Sequence, residues 1–214
     1  MVSIAVIDYD MGNLHSACKG LEKAGATPHV TDSAHDLFQA DAVILPGVGA
    51  FDPAIQHLRT RDLIQPIKDV VASNKPFLGI CLGLQILLDE SEEGVEPGLG
   101  IIPGIVRRFQ PEPDLTIPHM GWNHLDRVQP ALPLWADIQR QSWFYFVHSY
   151  YAAPSNPEAI AATVTHGSQV VTAAIAHKNV MATQFHPEKS STSGLQVLAN
   201  FVQMVESQCL AVSA

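Results

Sequence analysis

The chain has 214 residues, of which 47% are hydrophobic and 15% are charged, and its formal net charge is −9 at pH 7. This length and composition are typical of a globular chain that buries a sizeable core. An acidic surface repels phosphate backbones, so we expect no nucleic-acid partner. No apolar stretch reaches the roughly 18 residues that a transmembrane helix needs, so we expect no membrane partner.

The cysteines and the first residues bear on where the protein works. Cys18, Cys81 and Cys209 are odd in number and widely spaced, which is not a disulfide framework and suits a reducing compartment. The start, "MVSIAVIDYD", lacks the basic segment and the small-residue cleavage site of a secretory signal. We therefore expect a cytoplasmic protein.

The first part of the chain alternates short apolar runs, which predict buried strands, with segments of helical periodicity. The predicted strands are Ser3–Asp8, Ala26–Val30, Asp41–Gly47 and Pro76–Ile80. The predicted helices are Leu14–Gly25, Leu63–Ser73 and Leu82–Glu90. Apolar strands separated by helices predict a parallel sheet that is covered on both faces.

The second part, from Gly100 to Val180, is mostly strand-like and predicts antiparallel sheet joined to the first sheet. Val180–Phe185 predicts a further strand and Ser193–Gln208 a closing helix. The acidic segment Glu90–Gly98 is interpreted as a loop without a further role. The predicted fold is a single α/β domain over residues 1–214: a doubly wound mixed sheet, central parallel plus antiparallel, with flanking helices.

Cys81 stands between Gly79 and Gly83, where a predicted strand becomes a helix. This is the layout of a nucleophile elbow, in which a strained turn exposes the reactive side chain and small neighbours avoid clashes. A buried structural cysteine is the alternative for a lone thiol, but the paired glycines favour a nucleophile. The N–H of Leu82, at the start of the helix, is the predicted donor to an oxyanion.

His186 lies in "ATQFHPEKS", just past a predicted strand, with Glu188 two positions later. Pro187 biases His186 toward extended backbone, so a short turn can return the carboxylate to one imidazole nitrogen. That contact would hold the tautomer and leave the other nitrogen for Cys81. An ordinary turn with a surface ion pair is the alternative. We expect these other histidines at the surface: His15, His29, His35, His57, His166 and His177.

Two further patterns, a glycine-rich segment and a pair of histidines, each have a functional and a purely structural interpretation. In "LPGVGAF", Gly47 and Gly49 follow a predicted strand, where glycines let the backbone approach a ligand, although a simple βα loop is the alternative. His119 and His124 are five positions apart, and the sequence contains no C-x-x-C or H-E-x-x-H pattern. This spacing is poor for metal ligands, so we predict no metal site.

The segments "PGVGAF", "GICLGLQ" and "QFHPEKS", which occur in this order between Pro46 and Ser190, resemble the motifs of class I (triad) glutamine amidotransferases. The resemblance implies a triad of Cys81, His186 and Glu188 that hydrolyses the side-chain amide of glutamine to glutamate and ammonia. It also implies an oxyanion and substrate site formed by Gly47, Val48, Gly49, Leu82, Gln85, His148, Ser149 and Tyr150.

"DYDMGNLHS", "PHMGWN" and "YFVHSYY" resemble, within this family, the glutaminase subunits of imidazole glycerol phosphate synthases of histidine biosynthesis. Leu84 departs from a frequent methionine and Asp10 from a frequent glycine. The resemblance implies a heterodimer with a (β/α)8-barrel cyclase, which receives the ammonia and forms imidazole glycerol phosphate and an aminoimidazole carboxamide ribonucleotide. It implies no metal or organic cofactor. The expected partner face contains Asn13, His119, Trp122 and Lys189.

The resemblance also implies gating: the partner must bind, with its nucleotide, before hydrolysis is fast, because a free glutaminase would waste glutamine. We hypothesise that the gate is the loop at Gly47–Gly49, whose Val48 or Gly49 peptide must present an N–H inward beside that of Leu82. Three alternatives stay open at this point. They are a glutaminase subunit of the anthranilate or aminodeoxychorismate type, a stand-alone γ-glutamyl hydrolase, and a non-catalytic relative that only binds a partner.

Overall fold

The structure is a computed structural model and describes residues 1–213. The α-helices are α1 (Leu14–Lys23), α2 (Ala34–Gln39), α3 (Phe51–Thr60), α4 (Ile64–Ala72), α5 (Leu82–Gln85) and α6 (Ser191–Ser213). The strands are β1 (Ser3–Ile7), β2 (Thr27–Thr31), β3 (Ala42–Gly47), β4 (Phe77–Cys81), β5 (Glu90–Ser91), β6 (Gly104–Arg108), β7 (His119–His124), β8 (Asp126–Arg127), β9 (Trp143–His148), β10 (Tyr150–Pro154), β11 (Ile160–His166), β12 (Gln169–His177) and β13 (Val180–Thr183). Short 3-10 turns span Pro133–Trp135, Pro157–Ala159 and Pro187–Lys189.

An eight-stranded sheet has the order β2-β1-β3-β4-β13-β12-β11-β8. The pairs from β2 to β13 are parallel, and those from β13 to β8 are antiparallel. The predicted mixed sheet is therefore confirmed. Strand β4 lies between β3 and β13, so the carboxyl ends of these three strands meet at one edge. That edge carries the residues that follow each strand and is where open α/β sheets bind ligands.

The two faces of this sheet are buried by different helices. In β1, Ile4 and Val6 join the cluster that includes Val197 and Phe201 of α6, because alternate side chains of a strand point to the same face. Ala5 and Ile7 point the other way, into the cluster that holds apolar side chains of α2, α3 and α4. This double cover explains why the parallel strands are apolar at successive positions.

Two smaller sheets lie beside the central one. Strands β10, β6 and β5 form a three-stranded sheet. Strands β7 and β9 form an antiparallel ribbon, in which Trp122 is opposite Tyr145 and His119 is opposite His148. We call this pair the β7–β9 ribbon. Ser149 separates β9 from β10, so the predicted strand-like segment around it is divided between two sheets.

Several predictions about local structure were wrong. The helix predicted over Leu82–Glu90 is one turn, α5, because the chain then turns and Glu90–Ser91 joins a sheet as β5. The sequence analysis missed α2 and α3 altogether. Asp10, which replaces a frequent glycine, has φ of 63°, in the left-handed region that favours glycine, and its carboxylate pairs with Arg61.

No helix within residues 1–213 combines the length and the apolar character that crossing a membrane requires.

Candidate active site

Cys81 is the last residue of β4, and its backbone adopts φ 55° and ψ −109°. This is a conformation that non-glycine residues rarely adopt, as expected for a strained nucleophile elbow. The tight packing of the elbow explains both flanking glycines. A Cβ at Gly83 would overlap the carbonyl oxygen of Leu45 on the neighbouring strand, and one at Gly79 would lie 2.9 Å from the carbonyl oxygen of Gly83.

His186 and Glu188 follow β13 and form a buried pair. His186 Nδ1 lies 2.8 Å from Glu188 Oε1, and because an ionised carboxylate only accepts, Nδ1 carries the proton. His186 Nε2 is buried and makes no hydrogen bond within the described residues. Burial opposes the charged ring, but interactions with Cys81 and Glu188 outweigh it and raise the pKa of His186 to about 9. The pair therefore favours the imidazolium next to the thiol.

A cavity of about 320 Å³ opens at Cys81. Its walls include these predicted residues: Val48, Gly49, Cys81, Leu82, Gln85, His148, Ser149, Tyr150 and His186. Gly47 lies behind them, since a Cβ there would be 2.8 Å from the backbone nitrogen of Gly83. The structure therefore brings together residues that the sequence places more than a hundred positions apart.

A chain of buried amides connects the cavity wall to the thiol. Gln85 Nε2 donates to Tyr150 O at 2.8 Å and lies 3.1 Å from Gln184 Oε1. Gln184 Nε2 in turn lies 3.7 Å from Cys81 Sγ. Sequence analysis missed Gln184, although its position directly after β13 places it at the same sheet edge as Cys81.

The N–H groups next to the thiol differ in availability. Leu82 is the first residue of α5, so its N–H has no acceptor within the helix. The Val48 N–H donates to Met11 O at 2.6 Å, so it does not point into the cavity as an oxyanion donor would. Gly49 has φ of 102°, a conformation available to glycine. Of the two peptides predicted to present an N–H inward, that of Val48 is turned to Met11 in this conformation, and that of Gly49 stays a prediction.

The acidic segment has a role that the sequence analysis did not assign. Glu93 lines the cavity and accepts the Phe51 N–H at 2.9 Å, and burial raises the pKa of this carboxyl. Asp52 accepts the N–H groups of Val95 and Glu96, which fixes the segment against the start of α3. Through Glu93 the loop therefore contributes to the lining of the cavity. In the sequence this loop is marked only by several closely spaced acidic residues, which follow neither a helical nor a strand periodicity.

The four residues predicted at a partner face have different surroundings. Trp122 is 48% exposed, Lys189 is exposed and Asn13 is half-buried. His119 is only 4% exposed, so its placement at an accessible partner face was wrong. Alternation along β7 is the reason, since His119 points inward while Met120 and Trp122 point outward.

The β7–β9 ribbon is attached directly to the turn that carries His186. Tyr145 N–H donates to Ser190 Oγ at 2.9 Å, and the His186 N–H donates to Tyr145 O at 3.0 Å. Ser190 Oγ also donates to His186 O. On the outer face, the rings of Tyr145 and Trp122 pack edge-to-face with 5.9 Å between their centroids. The exposed Trp122 is thus two contacts away from His186.

Within the residues that the structure describes, no three His, Cys, Asp or Glu side chains are grouped so that they could hold a metal ion.

Comparison with known proteins gives the family. The family model described as glutamine amidotransferase class-I matches residues 5–205. A protein of Gloeothece citriformis named imidazole glycerol phosphate synthase subunit HisH is 67% identical over 211 residues, 99% of this chain and 100% of the relative. The protein of the same name from Trichodesmium erythraeum is 65% identical over 214 residues, 100% of both chains.

A solved structure adds the fold. A chain in the structure of PurLQS from Thermotoga maritima superposes with a TM-score of 0.70 at 19% identity, covering 98% of this chain and 100% of that one. At this identity the likeness concerns the fold alone. The match of the family model over nearly the whole chain, together with the full-length relatives, decides the assignment: the chain belongs to the class-I glutamine amidotransferase family.

Proposed function

We propose that this chain is the glutaminase subunit of an imidazole glycerol phosphate synthase. It hydrolyses glutamine to glutamate and ammonia, and it supplies the ammonia to a cyclase subunit. The observation that carries the chemistry is the buried His186–Glu188 pair, 2.8 Å apart, at the same cavity as the Cys81 elbow. The choice of synthase is supported by the names of full-length relatives that are 64–68% identical.

The proposed reaction has two steps. The Cys81 thiolate attacks the side-chain carbonyl carbon of glutamine, and the Leu82 N–H stabilises the resulting oxyanion. The imidazolium of His186 gives its Nε2 proton to the departing nitrogen, so ammonia leaves and a thioester remains. His186 then takes a proton from water, whose oxygen attacks the thioester. The intermediate then collapses and releases glutamate and the Cys81 thiolate. His186 keeps the proton that it took from water, so the thiolate and imidazolium of the starting state are restored.

The loop at Gly47–Gly49 is the proposed gate. The Val48 N–H is held by Met11 O, so in this conformation it is not available to the oxyanion beside the Leu82 N–H. Breaking the bond to Met11 and rotating the peptide would aim a second N–H at the cavity. Gly49 allows this rotation, because glycine adopts positive and negative φ with similar ease. A low rate of hydrolysis is therefore expected until the partner favours the rotated loop.

Substrate recognition is proposed to use both ends of the cavity. Glutamine carries a positive α-ammonium group at the end opposite its amide. Glu93 supplies a carboxylate at the mouth, held by the Phe51 N–H, and can pair with that ammonium. The amide end reaches Cys81. Ser149 and Tyr150 also line this cavity and form part of its wall.

The outer face of the β7–β9 ribbon is the proposed docking face for the cyclase. Met120, Trp122 and Trp143 are 63%, 48% and 52% exposed there, and aromatic residues and methionine are enriched at protein interfaces. Lys189 lies at the end of the His186 turn, and Asn13 precedes α1. The partner is proposed to be a (β/α)8-barrel that receives ammonia through its interior. Its products would be imidazole glycerol phosphate and an aminoimidazole carboxamide ribonucleotide.

The proposal includes no organic or metal cofactor, because thiol hydrolysis of an amide needs only the nucleophile, the base and water. A cytoplasmic location is also part of it, and the chain's −9 charge is compatible with a protein dissolved at high concentration.

The test is glutamate release from glutamine by the purified chain, first alone and then with an imidazole glycerol phosphate cyclase and its nucleotide ligand. Cys81→Ala serves as the blank. We expect a low rate alone and a steep rise in the complex. A high rate without the cyclase would indicate a stand-alone hydrolase such as a γ-glutamyl hydrolase. Stimulation only by an anthranilate or aminodeoxychorismate synthase would reassign the partner.

A further inference from the structure

Three histidines gather behind the cavity wall, on the inner face of the β7–β9 ribbon. His119 and His148 are 4% and 6% exposed, and their rings contact each other at 5.2 Å between centroids. His166, which the sequence analysis expected at the surface, is half-buried and stacks on His119 at 4.2 Å. Phe146 stacks on the same His119 ring at 4.8 Å. None of these contacts is used by the proposed chemistry at Cys81.

The hydrogen bonds of this cluster leave only one arrangement of protons for neutral rings. His148 Nδ1 lies 2.8 Å from Tyr150 O, which can only accept, so Nδ1 carries the proton. His148 Nε2 is then an acceptor, and His119 Nδ1, at 3.1 Å, must donate to it. His119 Nε2 becomes the acceptor for Asn123 Nδ2 at 3.3 Å. Each ring therefore fixes the tautomer of the next.

Burial keeps both rings neutral, as this arrangement needs. The apolar surroundings and the nearby His166 lower the pKa of His119 to about 4. Burial also lowers the pKa of His148 to about 3, although the bond to Tyr150 O opposes that shift.

The chain of donors ends at the carbonyl of Tyr150, in the wall of the glutamine cavity. His148 ends β9, Tyr150 begins β10, and Ser149 is the crossing between the two sheets. The bond from His148 to Tyr150 O spans this crossing, and Gln85 Nε2 donates to the same oxygen at 2.8 Å. The orientation of the peptide between Tyr150 and Tyr151, and with it the position of Tyr150 in the cavity wall, thus depends on which nitrogen of His148 holds the proton.

We infer that His119 is a positioning residue for the glutamine site: by donating to His148 it fixes the tautomer that holds the Ser149–Tyr150 wall in place. Without this donor, His148 can move its proton to Nε2, and the bond to Tyr150 O is lost. The wall then fits the substrate less well, while Cys81, His186 and Glu188 keep their places. The inference rests on the proposed function, since it assigns a role in binding glutamine.

The test uses two substitutions with opposite properties. His119→Phe keeps a ring that can stack on Phe146 and removes the donor. His119→Asn loses the ring and keeps an amide N–H near the position of Nδ1. In the complex with the cyclase, we expect His119→Phe to raise the KM for glutamine about threefold to tenfold, the worth of one neutral hydrogen bond. The expected kcat is nearly unchanged, and His119→Asn recovers most of the KM.

A control and a spectroscopic readout separate positioning from general damage. His29→Phe, on the edge strand β2, is the matched histidine-to-phenylalanine control and should leave KM unchanged. In wild type, 15N NMR of the imidazoles should show the His148 proton on Nδ1, and in His119→Phe a share of it should move to Nε2. Equal losses in both His119 variants, or a wild-type His148 proton on Nε2, would overturn the inference even if His119→Phe did not fold.

The same experiments keep this inference apart from the proposed function. Absence of glutamine hydrolysis by the wild-type complex would refute the proposed function while the tautomer measurement stays informative. Normal hydrolysis with an unchanged KM in His119→Phe would refute only the positioning role.

Discussion

The parallel part of the central sheet and the β7–β9 ribbon use strands in opposite ways. Every residue of β3 and β4 is buried, so both faces of these strands are interior and the backbone of the elbow at Cys81 is tightly packed beside the cavity. In β7, by contrast, the inward His119 alternates with the exposed Met120 and Trp122. The first region holds the reacting atoms rigidly. The second has one face turned to the cavity wall and one to solvent, which suits a region that connects a substrate site with a partner.

The largest expected effect is in the first region, at Glu188, the carboxylate of the proposed triad. Glu188→Gln keeps the shape of the side chain and removes the charge that favours the His186 imidazolium, so the His186 pKa should fall from about 9. We expect kcat for glutamine hydrolysis to fall about 10³- to 10⁴-fold, as for the acidic member of other triads. The measurement is glutamate release in the cyclase complex across pH 6 to 10. A decrease below tenfold would mean that Glu188 is only a structural partner of the imidazole.

Glycine substitutions compare how closely the two regions are packed. A Cβ at Gly83 overlaps the Leu45 carbonyl, whereas one at Gly121 in the ribbon meets nothing within 4 Å, and only its φ of 130° is unfavourable. We expect Gly83→Ala to lower the free energy of unfolding by about 3–5 kcal/mol and Gly121→Ala by about 1 kcal/mol. Denaturant unfolding measures both. If both variants lost the same free energy of unfolding, backbone strain, and not packing at the elbow, would determine the destabilisation.

The pH dependence of stability should have two branches with separate origins. The pKa values of His119 and His148, about 4 and about 3, lie below the usual 6.5, so the unfolded chain binds more protons and stability falls as pH decreases from 6.5 to about 4. The raised pKa of His186 acts the other way, and its contribution is complete below 6.5 and lost as pH rises toward 9.

His119→Phe should separate these branches. We expect it to reduce the acid loss by about 2 kcal/mol and to leave the alkaline loss intact, since one pKa unit corresponds to about 1.4 kcal/mol and pH 4.5 lies about two units below the usual histidine pKa. The measurement is urea unfolding at pH 4.5, 6.5 and 9 for both proteins. An unchanged acid branch would mean that the buried histidines do not cause it.

The smallest effect on the chain itself is expected at the outer face of the ribbon. Trp122→Ala should change the free energy of unfolding by less than about 1 kcal/mol, because the side chain is half in solvent. It should weaken cyclase binding about tenfold or more, as for a buried aromatic anchor. Val170→Ala, at a 64% exposed residue of β12, is the control for both measurements. Unchanged affinity in Trp122→Ala would move the docking face elsewhere.

The parallel region was predictable from sequence because short, continuous apolar runs separated by helical segments indicate strands that are buried on both faces. The same holds for the relation of His186 to Glu188, which a two-residue separation across a proline nearly dictates. Tertiary contacts could not be predicted in this way. The helix over Leu82–Glu90 ended early because β5 pairs with β6, a partner remote in the sequence. His119 was misplaced because a motif of six residues was interpreted without its strand period.

The order of strands in the central sheet has a consequence for synthesis of the protein. Strand β4 ends at Cys81, but its neighbour β13 and the residues proposed to activate the thiol come much later, and Gln184, directly before them, already lies 103 residues beyond Cys81. A chain emerging from the ribosome therefore exposes the cysteine long before His186 exists to act as its base. On the proposed mechanism, a nascent chain that has not yet reached Glu188 cannot release ammonia, so activity is delayed until only the last helix, α6, is still to be made.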